Sequence, residues 1–495
     1  MDFENLKFRR QFLLTTEAVV GLDNWQRYDL GTHLLYAHPD LTVFAAEAEQ
    51  AEAVLLGHVL DPGNAARTEV AILKGIIAKP QPTAIAEQLY GLSGRFVLII
   101  KTAEGLLFFN DACGLRSFFY TEHQGALQVA SQPLLLKMVV ADKVAQGARY
   151  ASFFESEYVR NHRENWFPSG TSLYEGVHHL VPNHYLDSRT MQQKRYWPVQ
   201  QHQIEDYRPA SEKFRELLQS TLAVGAKKYS LGLGVTAGFD SRIILSACRP
   251  VKDRMQFYTL KYRDMNHASR DIRIPTKLNK IMHFNHQVMD CQIPVDAEFA
   301  QIYQQNSDMA FLDDWGFIAY GISQNLKEGT VAIKGSCSET GRCYFYKSGK
   351  HPVLTSGADL LNYNPNWKGI GFIEERLEQW FNEVNHPKAH LGYPILDLFH
   401  WEVSTGSWQT QNQLEWDMVH ETFTPFNNRE LLDTMLRIDP KYRSKPKNYQ
   451  LYRDTISKLW PEALSQPVNP PSTIDWIKTA IKSVLVKMGM EKYNH

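Results

Sequence analysis

Residues 229–242 read "YSLGLGVTAGFDSR": an apolar run, a bend of small residues, then a polar turn that opens a helix. An apolar run bounded by glycine and followed by helical spacing is the sequence form of a strand–turn–helix in a parallel sheet. Such sheets bind ligands outside the carboxyl ends of their strands, close to the next helix N-terminus. Ala237 and Gly238 are small enough for backbone N–H groups to approach an anion, and Thr236 and Ser241 add hydroxyls. Asp240 is out of place beside an anion unless a cation stands between them, which points to Mg²⁺ shared by a carboxylate and phosphate oxygens. The same residues also read as an ordinary bend whose Asp and Ser cap the helix. No Gly-Lys-Ser/Thr closes the loop, and no dinucleotide-binding glycine pattern is present.

Working outward, "YSLGLGV", "QFYTLKY" and "TVAIKG" form three apolar runs separated by helical stretches, which predicts a parallel sheet with crossover helices. Phe214, Leu217, Leu218 and Leu222 recur at helical spacing just before the first run. Beyond about residue 355 the pattern is helical. The first half differs. "GRFVLIIKTAEGLLFFND" reads as two strands turning at Ala103 to Gly105, and "FFYTEHQGALQVAS" repeats the pattern around Gly125. Residues 166–197 read as irregular connection, and the polar "PVQQHQIEDYRPA" as the linker that ends a first domain near residue 200.

The chain has 495 residues, enough for two or three domains, and a formal net charge of -1, so no basic surface recruits a nucleic acid. Its five cysteines are odd in number and irregular in spacing, which reads as reduced thiols in a cytoplasmic protein rather than a zinc site or a disulfide frame. No signal peptide is recognised at the N-terminus, and no run of about 18 apolar residues predicts a membrane span. His283 and His286 have the spacing of a metal pair but no further ligands near them, so they read as structural.

With these residues in view, "VTAGFDSR" resembles the pyrophosphatase loop of the asparagine synthetase family, usually Ser-Gly-Gly-x-Asp-Ser. Thr236 and Ala237 replace the first Ser and Gly, while Gly238, Asp240 and Ser241 match. "VAIKGSCSETGRCYFY" is similar to the family's Gly-x-Gly-x-Asp-Glu segment, with Gly335 at the first Gly and Glu339 at the second metal-binding carboxylate; Cys337 and Thr340 depart from it. "TSLYEGVHHLVPNHYL" resembles the family's interdomain connector, and the Pro-Phe-x-x-x-x-Leu-Leu stretch at Pro425 to Leu432 its helical region. The resemblance implies an α/β and α+β chain. Residues 1–200 form an N-terminal-nucleophile-hydrolase-like αββα sandwich of class II glutamine amidotransferase type. Residues 201–495 form a parallel-sheet, adenine nucleotide α-hydrolase-like synthetase domain with a helical C-terminal part.

The resemblance further implies an ATP- and Mg²⁺-dependent, AMP-forming carbon–nitrogen ligase. A substrate carboxylate is adenylated with loss of pyrophosphate, and ammonia or a substrate amine takes the acyl group. It assigns Val235, Thr236, Ala237, Gly238, Asp240, Ser241, Leu260 and Gly335 to ATP and pyrophosphate, and Asp240 with Glu339 to the metal. Lys445 or Lys447 is expected to neutralise the oxyanion of the second step. Glu402, with Asp397 behind it, is the expected general base. Asp271 reads either as a nucleotide contact or as a first-turn helix acid after Ser269. The glutaminase chemistry is missing: Asp2 stands where the family has its nucleophilic Cys, and Ser93 where it has an Asp. The expected carboxylate is a small molecule, a peptide or a sugar precursor, and a homodimer stays open. The alternative is a nucleotide-binding scaffold or partner subunit without turnover. Residues 472–490 carry an apolar face at helical spacing, suited to packing on the domain or to peripheral membrane contact.

Overall fold

The computed structural model describes residues 3–162 and 164–470. The expectations for Asp2 and for the helix at 472–490 lie outside them. The fold is mixed α/β, with two antiparallel sheets and one parallel sheet.

Twelve strands precede residue 196: β1 (Phe12–Thr15), β2 (Gln26–Asp29), β3 (Leu34–Ala37), β4 (Val43–Glu47), β5 (Ala51–Leu60), β6 (Ser93–Thr102), β7 (Gly105–Asn110), β8 (Phe119–His123), β9 (Ala126–Ala130), β10 (His178–His179), β11 (His184–Asp187) and β12 (Gln192–Arg195). They form two six-stranded sheets, ordered β10-β8-β9-β1-β3-β2 and β12-β11-β7-β6-β5-β4. Period-2 alternation sends Val54, Leu56, Val97 and Ile99 of the second sheet against Phe12, Leu14, Leu35 and Ala37 of the first, and this is the core between the sheets. Leu55, Leu98 and Ile100 point the other way, onto a cluster with Ile72, Ile76 and Leu89 of the helices Glu69–Ile77 and Pro82–Leu89. Both faces are covered, which is why "FVLII" runs apolar without a polar alternate. Gln124 and Gly125, at φ 53° and 78°, make the β8–β9 turn. The stretch 166–197, expected to be irregular, instead adds β10 to one sheet and β11 and β12 to the other. These strands are short and polar-edged, so their alternation is weak in sequence.

The remaining strands are β13 (Ser230–Gly234), β14 (Gln256–Lys261), β15 (His286–Asp290), β16 (Thr330–Ile333) and β17 (Thr422–Phe423). All pair in parallel, in the order β15-β14-β13-β16-β17. The chain therefore winds outward one way from β13 through β14 to β15, then returns to the other side for β16. The carboxyl ends of β13 and β16 are the point where the order reverses, and a crevice opens there by topology alone. The three apolar runs are β13, β14 and β16. β15 and the two-residue β17 escape the sequence reading because they are short and carry polar residues.

His283 closes the helix Arg270–Met282 at φ 51°, and His286 Nε2 lies 2.9 Å from Thr259 Oγ1 inside the sheet, so the pair is structural. Among the described residues no helix is long and apolar enough to cross a membrane.

Candidate functional site

β13 ends at Gly234, and the helix Phe239–Ala247 begins after Gly238. The bend is fixed at both ends. Val235 donates its amide to Tyr258 O at 2.7 Å and accepts from Thr259 Oγ1 at 2.7 Å. Inside the bend, Ser241 Oγ accepts the Thr236 amide at 3.0 Å, and Thr236 Oγ1 accepts the Gly238 amide at 3.1 Å. The two hydroxyls lie 3.0 Å apart, with Thr236 exposed and Ser241 buried. Arg242 is buried beneath the loop and donates to the carbonyls of Ala463, Gln466 and Pro467, and the Asn469 amide donates to Ala237 O at 3.0 Å. The segment 463–469 is thereby strapped to the loop.

The second wall follows β16. Gly335 lies close against the loop: a Cβ there would sit 3.1 Å from Asp240 Cβ, a tight contact. Ser336 hydrogen-bonds Gln409, and a tight turn at Ser338–Arg342 carries Glu339. The two walls thus bring Asp240 and Glu339 together. The structure adds a partner that the sequence reading missed. Arg342 Nη2 lies 2.9 Å from Asp240 Oδ2 and 3.5 Å from Glu339 Oε1, while Ser338 Oγ donates to Asp240 Oδ1. Burial, then the neighbouring Asp240 charge, push the Glu339 carboxyl up to about 7 against the pull of Arg342. The Arg342 guanidinium sits 5.9 and 5.6 Å from the ring centres of Tyr449 and Tyr452.

A divalent ion needs open carboxylate oxygens, and hard cations take several oxygen ligands. Both oxygens of Asp240 already have donors, and a guanidinium lies between the two acids. Among the described residues no group of three or more His, Cys, Asp or Glu side chains is arranged to hold a metal. The two acids expected to hold Mg²⁺ thus share an arginine counter-ion in this structure.

The other expected site residues fall in three places. Leu260 is the penultimate residue of β14, half-buried and packed on the cluster of Phe299, Ile302 and Trp315. Asp271 is neither a simple helix-end acid nor free: its Oδ1 accepts the Ala237 amide at 2.8 Å, so it braces the loop. Ser269 does not cap that helix; its Oγ accepts the Asn266 amide instead. Lys445 and Lys447 are exposed on a turn that leads through Tyr449 into the helix Gln450–Leu459. Tyr449 packs on Phe239 at 5.5 Å between ring centres, so this turn borders the loop.

Glu402 is a different case. It is fully buried on the π-helical segment Phe399–Gln409. It accepts from both terminal nitrogens of Arg195, from Trp380 Nε1 at 3.0 Å and from Asn183 Nδ2 at 3.2 Å. Burial alone would raise its pKa, but Arg195 and the hydrogen bonds hold it below the ordinary value. A carboxylate so enclosed has no exposed oxygen with which to take a proton from an amine. The expectation of a general base gives way to a clamp between β12 and the helical region. Asp397 is likewise enclosed, accepting from Tyr346 and Arg443.

Arg342 and Ser338 were legible only in part. Arg342 stands three residues after Glu339, the spacing of an ion pair on a tight turn, but nothing in the sequence ties it to Asp240 about a hundred residues earlier.

No protein-family profile matches the chain, and no curated protein does. Among solved structures, the chain is similar to glutamine phosphoribosylpyrophosphate amidotransferase from B. subtilis complexed with ADP and GMP. The identity is 12%, the match covers 68% of this chain and 91% of that one, and the TM-score is 0.24. A superposition that loose carries no argument about fold or chemistry.

Proposed function

We propose that the crevice at the carboxyl ends of β13 and β16 binds the phosphates of ATP, and that the chain is an AMP-forming amide synthetase of the asparagine synthetase kind. In this reading residues 1–200 are a glutamine amidotransferase-like domain without its nucleophile, and residues 201–495 the synthetase domain. One observation carries it: a Gly/Thr/Ser bend at a helix start lies at the topological switch point, facing a second glycine wall. A substrate carboxylate attacks the α-phosphorus, the bond to the β-phosphate oxygen breaks, and pyrophosphate leaves. Thr236 and Ser241 hydroxyls and the first-turn amides of the helix Phe239–Ala247 stabilise the charge that builds on it. Magnesium enters as the ion that nucleoside triphosphates carry with them. Ammonia or a substrate amine then attacks the acyl carbon and AMP leaves. With Asp2 and Ser93 at the expected glutaminase positions, the amine comes from the substrate or a partner. Lys445 or Lys447 is the proposed cation for the second-step oxyanion.

A second reading, a nucleotide-binding scaffold without turnover, is favoured by two features: Asp240 is paired with Arg342 and Ser338, and Glu402 is locked away. Pyrophosphate release from ATP separates the two. Release stimulated by a panel of carboxylates, and lost in Thr236→Val with Ser241→Ala, supports the synthetase. Nucleotide binding with no stimulated release supports the scaffold. An absence of nucleotide binding overturns both.

A further inference from the structure

The acid pair at the crevice is solved electrostatically in a way the loop sequence does not suggest. Asp240 opens the helix after β13 and Glu339 sits on the turn after β16, so two carboxylates from the two walls face one space. Left alone they would repel, and a metal is one remedy. Here the remedy is covalent to the chain. Arg342, three residues beyond Glu339, reaches both acids through the same nitrogen, at 2.9 and 3.5 Å. Its plane is held by the rings of Tyr449 and Tyr452, which keep a guanidinium oriented and desolvated better than they would an ammonium. Ser338 donates to the second oxygen of Asp240, so each carboxylate oxygen has a donor from the chain. Glu339 and Asp240 remain 18% and 25% exposed, so the cluster is on the rim of the crevice, where a ligand would meet it.

We propose that Arg342 is the resident counter-ion of the Asp240–Glu339 pair, that it takes the place of a protein-held metal, and that it positions the first turn of the phosphate-loop helix. Asp240 and Glu339 are then arginine ligands, and a divalent ion in this crevice is bound by nucleotide phosphates and water alone. Only the role toward nucleotide rests on the function proposed above; the counter-ion role does not.

The test uses the full chain and two probes. The first is Tb³⁺ without nucleotide, its luminescence excited through the neighbouring tyrosines. Wild type and Asp240→Asn are expected to give superimposable titrations, because both Asp240 oxygens are already bonded to Arg342 and Ser338 and the guanidinium charge repels a cation. Arg342→Met frees both acids and is expected to gain a site at least about ten-fold tighter, lost again when Asp240→Asn is added. A wild-type Tb³⁺ site that Asp240→Asn removes overturns the proposal, and this arm needs no Arg342 variant to fold. The second probe is ATP, titrated with Mg²⁺ and with EDTA. The ratio of the two dissociation constants is expected to be the same within about three-fold in wild type and Asp240→Asn. A metal-ligand role for Asp240 predicts that the Mg²⁺ advantage shrinks ten-fold or more. If ATP binds under neither condition, the proposed function falls while the Tb³⁺ result still decides the role of Arg342.

Discussion

Two ion clusters in this molecule use the same residue types to opposite ends. At the seam between the antiparallel and parallel sheets, Arg95 and Arg116 meet Asp417 and Glu421. Arg95 Nη2 lies 2.7 Å from Asp417 Oδ2, and Arg116 Nη2 lies 2.6 Å from Glu421 Oε2. Three of these four side chains are at most 2% exposed. At the carboxyl edge of β13 and β16, Arg342 meets Asp240 and Glu339, and all three are between 15% and 25% exposed. Glu421, at 20% exposed, is the open edge of the seam, while Arg95, Arg116 and Asp417 have exchanged water for fixed partners and cannot accept a ligand without breaking it. A half-open cluster keeps water on one side and can exchange partners. The contrast separates scaffold from site more sharply than residue type does, since both clusters are arginine–carboxylate groups.

The seam is where this contrast breaks most easily. Asp417→Ala leaves the two buried guanidinium groups with Glu421 as their one shared carboxylate, and removing a partner from a buried ion cluster costs about 3–5 kcal/mol. The expected outcome is a large drop in the urea midpoint of the whole chain. If the midpoint moves no more than it does for Asp240→Ala, the seam is not the structural cluster described.

Acid is the next probe. His58 is held down to about 4, and His179, His184, His400 and His420 to about 3, in every case first by burial. Below pH 6.5 the unfolded chain gains these protons and the folded chain does not, so each histidine removes about 1.4 kcal/mol per pH unit. Three acids act the other way. Burial raises Asp308 to about 6, Glu339 to about 7 and Glu415 to about 8, so their effect is to lower stability as pH rises from the ordinary carboxyl range toward those values. Burial likewise lowers His38 and His286 to about 4, so the histidines outweigh the acids and acidification from pH 6 to 5 brings a net loss of stability. Thermal melting is expected to fall on acidification from pH 7 to pH 5. A melting temperature flat from pH 7 to 5 would show that these imidazoles are not buried neutral.

Glu402 sharpens the comparison because the sequence assigns it to chemistry and the structure to the scaffold. Glu402→Gln removes the charge that balances Arg195, at an expected cost of about 2–3 kcal/mol in stability. Nucleotide affinity is expected to stay within about two-fold once the folded fraction is taken into account. Loss of turnover with unchanged stability would return Glu402 to the catalytic role.

These cases also show what can be read from sequence here. The strand–bend–helix at 229–242 was legible because apolar period, small residues and helix-start chemistry all agree locally. Glu339 was singled out by the resemblance of its segment to the family's Gly-x-Gly-x-Asp-Glu stretch, and the structure places it beside Asp240 with Arg342 between them. What stayed hidden was long-range partnership: Arg342 with Asp240, Asp271 with the Ala237 amide, Arg195 with Glu402. Each joins segments far apart in the chain, so spacing holds no trace of it. The strands in 166–197 were missed for a related reason, since short edge strands are defined by what they pair with.

Asp271 gives the smallest expected effect and the most diagnostic sign. Its Oδ1 holds the Ala237 amide, and the side chain is 34% exposed beside the phosphate loop. Asn at this position keeps a carbonyl oxygen for that amide, so the bend should persist and the melting temperature should move by no more than about 2 °C. What disappears is a negative charge beside the place where phosphates are proposed to sit. Screening and partial exposure make the gain modest, so nucleotide affinity is expected to rise by about three- to five-fold in low salt and less in high salt. If Asp271 instead touches the nucleotide as a hydrogen-bond acceptor, the same substitution weakens binding. The direction of the change therefore tells a brace of the loop from a contact of the ligand, even where the size of the change is small.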